Sequence, residues 1–384
     1  MFPRVVLAHD WLTGMRGGER VLEELCRLFP AADLLTLIHA PGSVSPLIEG
    51  RTIHTSALNR IPGIRRRYRH FLPLMPAAVA GMRVPPCDLL ISSSHAVIKG
   101  LRVPQGARHL CYIHTPMRYV WGHAETYFGK GRTDRLTRAA AALALPALRR
   151  WDLHTSRRVD RFVSNSRFIA ARVRQAYQRD STVVHPPVDL QRFQPAPPPA
   201  PDAPYLMVSA FSPYKGIETA LEAFRQLGLP LDVIGAGQEF QKLQPRFGGA
   251  IRALGPLPDA AVTAAYRACR AFVMPAEEDF GITPLEAQAT GRPVIALGRG
   301  GALETVRPLG ATRPTGVLYA PTSDPVADLV AAVRTFETHR AEFVPADARA
   351  QAEQFSAHAF RAGLQREIAA VLGLSAPGYS PRGL

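Results

Sequence analysis

At 384 residues, 47% of them hydrophobic and 20% charged, the chain is longer than one typical domain and has enough apolar material for two cores. Its four cysteines, Cys26, Cys87, Cys111 and Cys269, have no paired spacing, which argues against a zinc site or a disulfide framework and suits a reducing cytoplasm. The net charge of +15 lies in the first half, where residues 1–190 hold 28 Lys and Arg against 13 Asp and Glu, while 191–384 hold 18 of each; one half therefore faces an anionic partner or carries a solvated basic surface.

The N-terminal MFPRVVLAHDW enters a strand at once, with no long apolar core and no small-residue cleavage site, so no signal peptide is expected. VVLAHDW (5–11) reads as a buried parallel strand ending in polar residues. In HDWLTGMRGGERVLEEL a glycine loop follows His9 and Asp10, and Gly17 and Gly18 open an amphipathic helix. Paired glycines let backbone approach a ligand, and a helix N-terminus favours an anion. A tight turn serving only the fold explains them equally well.

From Gly50 to Cys87 no acid occurs, whereas Arg51, Arg60, Arg65, Arg66, Arg67, Arg69 and Arg83 do. RIPGIRRRYRHFLPLMPAAVAGM mixes arginines with Ile, Leu, Phe, Tyr and Met, the composition of an interfacial basic amphipathic segment. DLLISSS (88–94), ARHLCYIHT (107–115) and RFVSNS (161–166) are further predicted strands. Within CYIHTPMRYVW, His114 falls at a strand's carboxyl end and Pro116 stops the strand; the residue is either a core histidine or part of a site. The apolar run Ala139 to Leu148 holds Pro146 and is too short to span a bilayer.

After the proline-rich APPPAPDAP (196–204) the strand pattern restarts with YLMVSA, LDVIGAG, AFVMPA and RPVIAL, so 196–204 reads as a linker between two similar α/β domains. In VSAFSPYKGIETALEAF, Lys215 enters a helix N-terminus, where the dipole favours anions. A bound phosphate resolves that conflict; an exposed, idle lysine is the other reading. PAEEDFGITPLEAQATG crowds Glu277, Glu278 and Asp279 into one loop, with Glu286 in the helix that follows. Thr283 is the expected N-cap and Pro284 the first-turn proline. The amides of Phe280, Gly281 and Ile282 point at a ligand, and ionised carboxylates accept several hydrogen bonds from sugar hydroxyls. A last helical segment, about Asp347 to Leu372, precedes SAPGYSPRGL, which reads as a disordered tail.

Glu278-Asp-Phe-Gly-Ile-Thr-Pro-Leu-Glu286 resembles the signature of glycosyltransferase family 4. PPVDLQRF (186–193), VSAFSPYKG, VIGAG (233–237), GRGGALETV (298–306), SNSRFIAARV (164–173) and HTPMRYVW (114–121) extend the resemblance over about residues 1–370, with the flavour of bacterial O-antigen and exopolysaccharide mannosyltransferases. The resemblance implies an α/β GT-B fold of two Rossmann-like domains facing a central cleft. Residues 1–190 would bind the acceptor, 200–350 the sugar nucleotide, 355–372 would pack back onto the first domain, and 373–384 would be a tail. It further implies a retaining hexosyltransferase with GDP-mannose as donor, no cofactor and no metal. By that likeness Lys215 pairs with the diphosphate, Glu278 and the amides of Phe280, Gly281 and Ile282 hold the sugar, Glu286 holds the ribose, His114 faces the reacting centre, and Gly17 and Gly18 approach the diphosphate. A glycan or polyprenyl-diphosphate-linked acceptor would place the protein peripherally on the inner face of the cytoplasmic membrane, and nucleic acid is not an expected partner. A UDP-sugar-dependent transferase and a non-catalytic sugar-nucleotide-binding homologue are the alternatives. One departure from the family pattern is Ala210, where many members carry an arginine.

Overall fold

The computed structural model describes residues 3–122, 135–237 and 239–374. It divides into two compact units, Met1–His185 with Phe360–Leu384, and Pro186–Ala359.

The first unit is built on a seven-stranded parallel sheet: β1 (Val5–Leu12), β2 (Asp33–His39), β3 (Ile53–Thr55), β4 (Leu89–Ser94), β5 (Arg108–Ile113), β6 (Arg161–Ser164) and β7 (Ser181–Val183), in the order β3-β2-β1-β4-β5-β6-β7. Every residue of β1 is buried, as a parallel strand covered on both faces requires. Alternate side chains go to opposite faces. Val5 and Leu7 pack with Val21, Leu22 and Leu25 of the helix Gly17–Leu28, while Val6 and Ala8 join Ile64, Tyr68, Leu72, Met75 and Val79.

This second cluster corrects the reading of the acid-free stretch. Its apolar residues are largely core rather than a face offered to a bilayer, although Leu74 is 51% exposed. Arg60, Arg65, Arg67 and Arg83 are exposed; the side chains of Arg66 and Arg69 lie outside the described residues, as does the expected tail from residue 375 onward.

The helix Ala357–Leu372 contributes Phe360, Leu364 and Ile368 to the first unit's core. Gly363 admits Val184 closely, since a Cβ there would stand 3.0 Å from Val184 Cγ1. Arg361 donates to Glu24 at 2.7 Å and Arg161 to Glu367. The segment expected as one helix from Asp347 is two, Pro345–Glu353 and Ala357–Leu372.

The second unit repeats the plan with six parallel strands: β8 (Tyr205–Val208), β9 (Leu231–Ile234), β10 (Ile251–Gly255), β11 (Phe272–Met274), β12 (Val294–Leu297) and β13 (Gly316–Tyr319), ordered β10-β9-β8-β11-β12-β13. Ile217, Leu221 and Phe224 of one helix meet Leu329, Val333 and Phe336 of another on one face; Tyr266, Leu285, Ala352 and Phe355 cover the other. The division falls at His185/Pro186 rather than in the proline-rich stretch, which is fastened into the second unit: Ala196 donates to the Thr290 carbonyl at 3.2 Å and Arg292 to the Pro197 carbonyl at 2.5 Å.

His109, fully buried on β5, bonds Ser92 Oγ through Nε2 at 2.8 Å, and its Nδ1 has no partner. Burial pushes the imidazole down to about 4, the Asp160 carboxylate opposing. The folded chain therefore binds the proton less readily than an unfolded chain with its histidine near 6.5. Stability is complete above pH 6.5 and is lost as pH falls toward 4, up to about 3 kcal/mol from this group alone. Thermal unfolding should show a falling midpoint between pH 6.5 and 4.5, with a smaller fall in His109→Gln; equal slopes in the two proteins would contradict the assignment.

Candidate active site

Both sheets are doubly wound, and in such sheets ligands bind beyond the strands' carboxyl ends where the winding reverses. In the second unit the reversal lies between β8 and β11. The chain leaving β8 makes a short turn, Pro213–Lys215, before the helix Ile217–Leu227. Gly216, the residue between them, has φ +66°, and a Cβ there would stand 2.9 Å from the Pro275 carbonyl oxygen, so only glycine lets the turn close on the end of β11. That closure places Lys215 Nζ in an ion pair with Glu278 Oε1. The ammonium also lies 5.0 Å from the centre of the Tyr214 ring, within cation–π range. The two side chains are 16% and 18% exposed, sheltered enough to strengthen the attraction and open enough to reach a ligand.

The acidic loop is braced from behind. Glu278 bridges Gly300 in parallel, and the Gly301 amide donates to the Glu278 carbonyl at 2.8 Å. A Cβ on Gly301 would sit 2.1 Å from the Phe280 carbonyl oxygen, which explains the paired glycines of GRGG. Under this bracing the helix begins one residue before the expected cap: it spans Ile282–Ala289 with Gly281 at φ +81° as N-cap, so Thr283 lies inside its first turn. The Phe280 ring is core, 5.7 Å from Phe355. Glu286 accepts a hydrogen bond from Tyr266 Oη at 2.8 Å. Burial first, then the Glu286 charge, raises the Tyr266 phenol well above its usual range, so it remains a donor. Sequence reasoning missed Tyr266, because an aromatic on a helix face looks like ordinary core.

In the first unit the reversal lies between β1 and β4, and three imidazoles gather there. His9 pairs in register with Ser93 on β4, while His95 and His114 follow β4 and β5. Their ring centres are 5.6, 6.4 and 6.2 Å apart. Ser93 Oγ stands 3.1 Å from His9 Nδ1 and 2.8 Å from His114 Nε2. Asp10 anchors the turn after β4 by accepting the amides of His95, Ala96, Val97 and Ile98 at 2.7–3.0 Å. Burial would raise its carboxyl, but His95 and these amides outweigh that and hold it low.

Burial, then the neighbouring His95 and His9, holds the His114 imidazole well below the usual histidine range; burial lowers His95 as well. Gly18 lies against this group, a Cβ there standing 3.4 Å from His9 Cε1 and 3.7 Å from His114 Nε2. Gly17 has open space beside it. Sequence reasoning noted the strand end at His9 and Asp10 but missed Ser93 and His95. Among the described residues no group of three His, Cys, Asp or Glu is placed to hold a metal ion.

The structure thus brings Lys215 to Glu278 and His114 to Gly18, each pair within its own unit. Two Rossmann-like units with polar groups at each sheet's reversal define the GT-B class of fold. HepE of Anabaena, solved in complex with UDP, shares it at a TM-score of 0.67 and 15% identity, over 96% of this chain and 100% of that one. The glycosyltransferase of Rickettsia africae ESF-5 does so at 0.62 and 17%, over 98% and 100%. The sequence matches the family model Glycosyltransferase Family 4 over residues 15–192 and the model Glycosyl transferases group 1 over 191–354. The chain belongs to the glycosyltransferases of family 4. It is also similar to D-inositol 3-phosphate glycosyltransferases, at 33% identity over 51% of this chain for the Geodermatophilus obscurus protein and 32% over 38% for that of Streptomyces bingchenggensis. These matches span 49% and 40% of the relatives' lengths, about half or less.

Proposed function

We propose that the protein is a retaining glycosyltransferase that moves a hexose from a nucleoside diphosphate sugar to a glycan or lipid-linked saccharide. The observation that carries the reading is the Lys215–Glu278 ion pair at the reversal of the second sheet. A cation and an acid held together at a helix entrance are a ready recognition pair for a diphosphate and its sugar. Lys215 exchanges its carboxylate for the diphosphate and stabilises the charge that develops as the glycosidic bond breaks, the kind of preorganised electrostatic term that contributes most to catalysis. Glu278 accepts hydroxyl hydrogen bonds from the sugar and favours positive charge at its ring. Glu286, oriented by Tyr266, accepts from the ribose, with the amides of Phe280, Gly281 and Ile282 between the two acids. By the family resemblance His114 of the first unit is assigned to the reacting centre, and Gly17 and Gly18 to the loop that approaches the diphosphate. Ala210 supplies no second charge, so the phosphate site relies on Lys215, helix dipoles and another cation.

The motif flavour favours mannose from GDP-mannose. A second reading is a UDP-sugar donor; HepE was solved with UDP-glucose as well as UDP. A thermal-shift panel of GDP-mannose, UDP-glucose and UDP-N-acetylglucosamine, followed by transfer assays, separates these. The accepted donor should raise the unfolding midpoint by the equivalent of about 2.7 kcal/mol at a hundred times its Kd, and Lys215→Ala should lower transfer by roughly 10²–10³ without unfolding the protein. Stabilisation without transfer to any acceptor would indicate the non-catalytic homologue, and no stabilisation by any sugar nucleotide would overturn the reading.

No described helix is long and apolar enough to cross a membrane. Exposed Arg60, Arg65, Arg67 and Arg83 favour docking to the anionic inner leaflet of the cytoplasmic membrane, each worth on the order of 1 kcal/mol near the surface. With Ile64, Tyr68 and Leu72 in the core, that docking is electrostatic, so sedimentation with anionic vesicles should vanish in high salt. Salt-resistant sedimentation, or none at low salt, would contradict it.

A further inference from the structure

Ser93 Oγ has one proton and two imidazole neighbours, His9 Nδ1 at 3.1 Å and His114 Nε2 at 2.8 Å. It donates to one ring and must accept from the other. With both rings neutral, only two arrangements satisfy both bonds, and they differ in which nitrogen of His114 carries the proton. The choice is made at the far end of the chain. His9 is fully buried, and its other nitrogen, Nε2, has no hydrogen bond and stands 3.7 Å from Glu19 Oε1. Glu19 is 3% exposed and stays in place because its Oε2 accepts the Arg16 amide at 3.1 Å, at the start of the helix Gly17–Leu28. Burial would raise this carboxyl, but His9 first, then His95 and a backbone amide, hold it below its usual range.

A bare Nε2 lone pair facing a buried carboxylate is repulsive, whereas an N–H there is attractive. We propose that Glu19 sets the tautomer of His114 through His9 and Ser93: His9 carries its proton on Nε2, Ser93 donates to His9 Nδ1, and His114 donates Nε2–H to Ser93, leaving Nδ1 of His114 as an acceptor. Glu19, His9 and Ser93 are then positioning residues. No described residue bonds His114 Nδ1, and the ring is half-buried. It can accept a hydrogen bond from a substrate hydroxyl but, in this tautomer, cannot give one. The link to a hydroxyl rests on the transferase reading; the tautomer does not.

The same geometry says how to reverse the chain. In Glu19→Gln the amide oxygen is held by the Arg16 N–H, which turns the NH₂ toward His9 Nε2. His9 would then carry its proton on Nδ1 and donate to Ser93, Ser93 would donate to His114 Nε2, and the His114 proton would move to Nδ1. Long-range ¹H–¹⁵N correlation spectra of the histidine-labelled full chain at pH 8 distinguish protonated from bare ring nitrogens, and the resonances of His114 are identified by their loss in His114→Asn. The wild type should show His114 protonated on Nε2, Glu19→Gln should show Nδ1, and Ser93→Ala should show a mixture. A wild-type His114 protonated on Nδ1 overturns the proposal whether or not any variant folds, as does a folded Glu19→Gln protein with an unchanged tautomer. Because the readout needs no substrate, a failed transfer assay leaves this test intact.

Discussion

The constraint on which everything else rests is the reversal of winding in each parallel sheet. Strands buried on both faces carry few polar side chains that are not paired with one another, so groups able to meet a ligand collect toward the carboxyl ends, and the reversal is where the connections from two neighbouring strands leave in opposite directions. In the first unit β1 and β4 meet there, and in the second β8 and β11. Residues distant in sequence become neighbours at these places: His9 and Ser93 by strand register, Lys215 and Glu278 by the closure of Gly216 on Pro275.

The two units use that position differently. The second holds opposite charges in contact, and the pair is sheltered by the glycine-braced loop behind Glu278. The first holds His9, Ser93 and His114 in a chain of hydrogen bonds, with the buried Glu19 carboxylate facing its far end. An ion pair can exchange partners for a charged ligand. A chain of hydrogen bonds fixes orientation instead, because each link dictates the next.

Much of this was legible in the sequence, and the limits have physical causes. Lys215, Glu278, Glu286 and His114 could be read because each lies in the loop, turn or helix that follows an apolar strand run. The strands themselves were clear where buried on both faces, as in VVLAHDW and AFVMPA. The three-residue β3 and β7 carry too few residues to show a period. Composition misplaced the boundary between units because prolines mark irregular backbone, and 196–204 is irregular while bonded to the second unit. It also mistook Ile64, Tyr68, Leu72 and Met75 for an outward face, since four- and seven-residue helical turns show no reliable amphipathic period. The start of the helix at Ile282 depends on Gly300 and Gly301, about twenty residues downstream, which no local rule for caps could register. Ser93 and Glu19 were invisible as functional residues because their meaning lies in what they touch.

The central claim is that one ion pair divides the donor between its two members, with Lys215 on the diphosphate and Glu278 on the sugar. Calorimetric titration of the wild type, Lys215→Ala and Glu278→Ala with the accepted sugar nucleotide, and with its nucleoside diphosphate alone, tests this most directly. Lys215→Ala should weaken both ligands. Glu278→Ala should weaken the sugar nucleotide while leaving the nucleoside diphosphate bound as well as before, or better, because Lys215 no longer has to leave a partner. Equal weakening of the nucleoside diphosphate by both substitutions would contradict the account.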